Sequence, residues 1–115
     1  MELFNKDTID DLCAQNHQTY YVPSRLFDSR RYVNVRVEVK WAYVAVLNVM
    51  MKEALYDKER LAYVKDDSPM LVETLKKLAN KRVDEEKIAG YLNELEDLSL
   101  IERQGRNIYL YNLER

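Results

Sequence analysis

The chain has 115 residues, nearly half of them apolar and a third charged, which suits one domain with one buried core. Two glycines and two prolines exclude a turn-rich all-β fold, and a single cysteine, Cys13, excludes an internal disulfide. The net charge of −2 is uneven: residues 1–23 carry one lysine against four acids, residues 24–82 thirteen Lys/Arg against eight acids, and residues 83–115 four against eight. Only the middle is basic, whereas a typical nucleic-acid module is basic overall. Glu2, Lys6 and Asp7 follow Met1 with no apolar run of signal length, and the longest apolar run, Trp41 to Met51, is too short to span a bilayer. With the lone cysteine, this predicts a cytoplasmic protein without a membrane partner.

Residues 1–19 read as a polar N-terminal extension, with a short helix over Thr8 to Ala14, and residues 20–113 as the folded core. Tyr20-Tyr21-Val22 reads as a short extended piece stopped by Pro23, which cannot donate to a strand ladder. Leu26-Phe27 supplies an apolar anchor, and Val33, Val35 and Val37 alternate as in a strand, or as the approach to a helix. Glu38 to Leu55 is the first long helix, apolar nearly all round between Trp41 and Met51, a run interrupted only by Asn48. A helix without a polar face is buried on more than one side. With Tyr20-Tyr21 and Leu26-Phe27, it predicts a homodimer built partly from residues 1–36 and this helix.

Tyr56 to Arg60 is a charged turn and Leu61 to Val64 a short strand. Ser68-Pro69 starts a second helix, because the Ser hydroxyl caps free amides and Pro at the first position loses no hydrogen bond. This helix runs through Leu71, Leu75 and Leu78 to about Ala79, with Lys76, Lys77, Lys81 and Arg82 at its end, where cations suit the dipole. Asp84 caps a third helix whose Ile88, Tyr91, Leu92 and Leu95 face inward by their spacing. Glu86, Ala89, Gly90, Asn93 and Asp97 are left facing out. After Leu98-Ser99-Leu100, a hairpin runs from Ile101 through a Gly105-Arg106 tip to Tyr111. Helix, strand, helix, tight connection, helix, hairpin is the order of a winged helix-turn-helix, an α+β but mainly α fold. In that architecture the third helix reads the groove and the C-terminal β-hairpin is the wing.

Other chemistry is poorly served. Cys13 and His17 stand at i and i+4, but a metal site needs three or four ligands and no other Cys or His exists. No orienting group completes a Cys-His nucleophile, and the two glycines stand apart rather than in a phosphate loop. The sequence therefore predicts no catalysis, no metal and no cofactor.

Tyr20-Tyr21-Val22-Pro23-Ser24-Arg25-Leu26-Phe27, then Tyr32, Lys40 and Tyr43, resemble the opening of the N-terminal domain of plasmid replication initiator A proteins. The Tyr63-Val64 strand, the Ser68 to Leu71 helix start, and Leu95-Glu96-Asp97-Leu98-Ser99-Leu100-Ile101-Glu102-Arg103-Gln104-Gly105 with Ile108-Tyr109-Leu110 are similar too. The likeness spans roughly residues 20–111. It implies a winged-helix domain that binds repeated sites at an origin of a plasmid or mobile element, often as a dimer, with host replication proteins as further partners. Members usually carry a separate C-terminal domain, so the resemblance implies an excised domain or a short relative. They also tend to carry more lysine on the outer face of the third helix, where this chain has Glu85, Glu86, Gly90 and Asn93.

The expected function is sequence-specific binding of double-stranded DNA. Lys81, Arg82, Lys87 and Asn93 are expected at or beside the major groove, and Arg103, Gln104, Arg106 and Asn107 on the wing. Lys81, Arg82 and the wing arginines are expected on phosphate, and Asn93 on a base, since Asn makes two hydrogen bonds to adenine. The acidic third helix favours the alternative, a winged helix used as a protein–protein interaction module.

Overall fold

Helix α3 (Val37–Glu53) is the centre of the protein. The computed structural model describes residues 1–114 and buries this helix on nearly every side from Val39 to Met50. Its neighbours are α1 (Lys6–Gln15), strand β2 (Ala62–Lys65), α4 (Pro69–Leu78) and α5 (Glu85–Asp97). The all-round apolar pattern is thus satisfied inside one chain. The reason for which a second copy was expected against this helix is gone.

The remaining elements are α2 (Ser24–Asp28), a 3-10 turn over Arg30–Tyr32, and strands β1 (Leu55–Tyr56), β3 (Ile101–Gln104) and β4 (Asn107–Leu110). The fold is α+β, with five α-helices and a four-stranded antiparallel sheet of order β1-β2-β4-β3 among the described residues. No helix of the described residues is long and apolar enough to cross a membrane.

The N-terminal segment is not an extension outside the core. Phe4 and Ile9 are buried in it. The Phe4 amide donates to the Leu110 carbonyl, and the Ala62 amide donates to the Phe4 carbonyl, both at 3.0 Å. Asn5 and Thr8 then form a capping box that starts α1. One buried aromatic and a cap, within an otherwise polar stretch, hold the segment against the sheet. Cys13 and His17, four positions apart, do not share a helix, because α1 ends at Gln15.

Tyr20–Val22 is not a strand, yet its backbone is paired. Asn48, buried in α3, accepts from the Tyr21 amide and donates to the Tyr21 carbonyl, each at 2.8 Å. One side-chain amide thus does for this segment what a neighbouring strand would do.

The C-terminal half follows the sequence closely. Ser68 caps α4 by accepting from the Leu71 amide at 3.3 Å. Asp84 caps α5 by accepting from the Lys87 amide at 2.8 Å. Helix α5 ends with the Leu100 amide donating to the Leu95 carbonyl and the Ser99 amide to that of Glu96. This is a Schellman ending, with Ser99 in the left-handed position that glycine usually fills. In the hairpin, Gln104 pairs with Asn107 across the two-residue loop Gly105-Arg106. Gly105 has φ +60°, at the place a type II′ turn gives to glycine.

Candidate nucleic-acid interface

The eight candidate residues lie on the α4–α5 connection, the outer face of α5 and the β3–β4 hairpin. On the hairpin Arg103 faces α5 and bonds Asn93, while Gln104 and Asn107, opposite each other, are on the other face of the sheet, where Asn107 meets Lys65. They fall into two sets with different electrostatics.

The first set surrounds the start of α5. Asn80 shapes the connection. Its side chain accepts from the Arg82 amide at 2.9 Å and donates to Glu38 at 2.6 Å, which ties the turn to the beginning of α3. Lys81, Arg82 and Lys87 are exposed, as is Lys77 on the last turn of α4. Among the described residues, none of these four cations has a carboxylate oxygen within 4.0 Å. Their charge is available to an external anion.

The second set is engaged within the chain. The Arg103 guanidinium donates through Nη2 to Glu96 and to the Asn93 side-chain oxygen, both at 2.7 Å, and through Nε to Glu96 at 3.2 Å. The bond from Arg103 holds the Glu96 carboxyl below the usual carboxylate range. Arg106 donates to Asp67 at 2.9 Å, and its carbonyl accepts from the Asp66 amide at 2.9 Å. Asn107 accepts from Lys65 at 2.7 Å, and Gln104 donates to Glu102 at 3.5 Å. The sequence placed Arg103 and Arg106 on the wing, facing phosphate. The structure gives each a carboxylate partner.

Asn93 changes as well. Its Oδ1 already accepts from Arg103, whereas paired reading of adenine needs that oxygen for the base. What Asn93 presents outward is chiefly its N–H donors.

Glu96, Asp67 and Asp66 were missed as members of this surface. Glu96 stands seven residues before Arg103, across a helix end and a reversal of direction. Asp67 meets Arg106 only because β2 pairs with β4, bringing Lys65 opposite Asn107. No local spacing signals either contact. The same loop borders a groove of about 380 Å³ between α4, α5 and the hairpin, with Val72, Ile88 and Leu92 in its lining and Asp66, Asp67, Glu85, Arg103 and Arg106 around them.

Among the described residues, no group of three or more His, Cys, Asp or Glu is placed to hold a metal ion. No family model, no curated protein and no solved structure matches this chain.

Proposed function

We propose that this chain is a winged-helix domain that binds double-stranded DNA, in the setting of origin-repeat recognition by a plasmid or mobile-element replication initiator. One observation carries the reading. Helix α3, strands β1 and β2, helices α4 and α5 and the β3–β4 hairpin follow one another, and β2 pairs with β1 on one side and with β4 on the other, so that the hairpin extends from the sheet beside α5. This is the order and pairing by which a winged helix presents its third helix and wing to a duplex. The free cations Lys77, Lys81, Arg82 and Lys87 at the start of α5 then meet phosphate, and Asn93 faces the groove. Pairing of two copies on neighbouring repeats belongs to the same proposal. Exposed Phe27, Val33 and Val37 around the start of α3 offer apolar surface for it, and a light-scattering mass of only 13.7 kDa would argue against it.

Fluorescence anisotropy with an origin-repeat duplex and a scrambled duplex tests the DNA reading. Binding to both is expected, tighter to the repeat and weakening steeply with salt. If neither duplex is bound below about 0.1 mM at low salt, weaker than ordinary nonspecific binding, the reading fails.

The acidic first turn of α5, Glu85 and Glu86, favours a second reading, a winged helix that docks a basic protein segment. It predicts capture of a cationic amphipathic peptide by the same surface and no salt-dependent affinity for duplex.

A further inference from the structure

This inference rests on the duplex-DNA reading and concerns what sets the affinity of that surface. Arg103 and Arg106 stand on the hairpin, where the proposed wing meets the DNA backbone, and each is already bonded to an oxyanion. Glu96 comes from α5 and Asp67 from the loop before α4, so two separate elements supply the two partners. Carboxylate and phosphate suit the same guanidinium fork. The Arg106–Asp67 pair is largely exposed and the Arg103–Glu96 pair partly so, and ion pairs open to solvent are weak, so an incoming phosphate can replace the carboxylate.

We infer that Glu96 and Asp67 compete with the DNA backbone for Arg103 and Arg106 and so hold the hairpin's contribution to binding near zero. When a phosphate displaces Glu96, the carboxylate stays beside it. It repels the phosphate and takes up a cation from solution. The cation released from DNA is thereby balanced by one bound to the protein. In the native protein the slope of log affinity against log salt therefore counts the cations around the start of α5 and not the hairpin arginines.

Neutral amides remove the competitor and keep its shape. Glu96→Gln with Asp67→Asn is expected to tighten binding of a labelled duplex of arbitrary sequence roughly tenfold at low salt, and to steepen the salt slope by up to about 2 units, near 0.9 for each new phosphate contact. Glu85→Gln with Glu86→Gln removes the same formal charge from α5 without freeing an arginine, and is expected to leave the slope nearly unchanged. Adding Arg103→Ala and Arg106→Ala to the first variant is expected to abolish its gain, the non-additivity that marks direct coupling. The same two alanines in the native background are expected to change the slope little. If the native protein binds duplex but the Glu96/Asp67 variant gains no more than the Glu85/Glu86 variant, the competition is refuted and the DNA reading stands. A gain that survives loss of both arginines also refutes it. If neither the native protein nor any variant binds duplex at low salt, the DNA reading fails and the competition fails with it.

Discussion

The two ends of the proposed DNA surface carry positive charge in different ways. Around the start of α5, Lys77, Lys81, Arg82 and Lys87 have no carboxylate oxygen within 4.0 Å among the described residues, although Lys87 is near enough to help lower the pKa of the Glu38 carboxyl. On the hairpin, Arg103 and Arg106 are each bonded to one. Formal charge along the chain ranks these regions by counting, but the field felt by a phosphate is set by what each cation already faces. The acids of the C-terminal third are likewise less hostile than their number suggests. Glu96 is cancelled by Arg103, and Glu94 is bonded to Arg36 at 2.7 Å.

The largest expected effect tests this contrast directly. Lys81→Ala with Arg82→Ala is expected to weaken duplex binding roughly 30-fold and to make the salt slope shallower by about 2 units, since two free phosphate contacts are lost. Arg103→Ala with Arg106→Ala in the native background is expected to cost about threefold or less, because exposed paired arginines have little net charge to offer. Anisotropy titrations at several salt concentrations measure both. Equal losses would erase the distinction between the two regions.

A second substitution asks whether the contrast survives when the frame beneath it is weakened. Asn48→Ala leaves the Tyr21 amide and carbonyl without their partner and is expected to cost about 2 kcal/mol, read by denaturant unfolding. The contrast between the two regions is then expected to persist in binding, since a loss of this size leaves a domain of ordinary stability almost wholly folded. In the sequence Asn48 is visible only as an interruption of an apolar helix. Its use depends on a segment 27 residues away, which no periodicity reports. Phe4 is a similar case. One aromatic in a polar stretch does not announce that its backbone bridges two strands. The C-terminal half was far more legible, because caps, helical spacing and the Gly105 turn are local signals. The candidate site lay between these cases. Its residues were readable from the order of elements, while their partners Glu96 and Asp67 depend on tertiary pairing.

Two smaller effects concern how rigidly the regions are joined. Ser68→Ala removes the cap of α4 and a 2.7 Å bond to Glu53, and is expected to lower stability by about 1 kcal/mol, with duplex affinity unchanged in the folded protein. Ser99→Gly acts at the joint between α5 and the hairpin. Ser99 has φ +58°, where a side chain is strained, so glycine is expected to raise stability by about 1 kcal/mol. Thermal unfolding reads both. No gain at Ser99 would mean that its hydroxyl repays the strain locally.

The smallest expected effect bears on which part of α5 approaches a ligand. Gly90 lies three residues after Lys87 and three before Asn93, so the three share one exposed face of the helix. A Cβ placed on Gly90 meets nothing within 4 Å, and its backbone lies outside the left-handed region, so neither packing nor conformation requires glycine there. Glycine inside a helix is unfavourable relative to alanine, and Gly90→Ala is expected to stabilise the protein by roughly 0.5–1 kcal/mol. If α5 lies in the major groove, the added methyl falls between the free cation Lys87 and Asn93, where DNA comes closest. Duplex affinity is then expected to fall several-fold while the salt slope stays constant, because no charge has changed. If stability rises and affinity is untouched, the middle of α5 is not in contact. Binding would then rest on the cations around its start, the region that the pairing pattern already singles out.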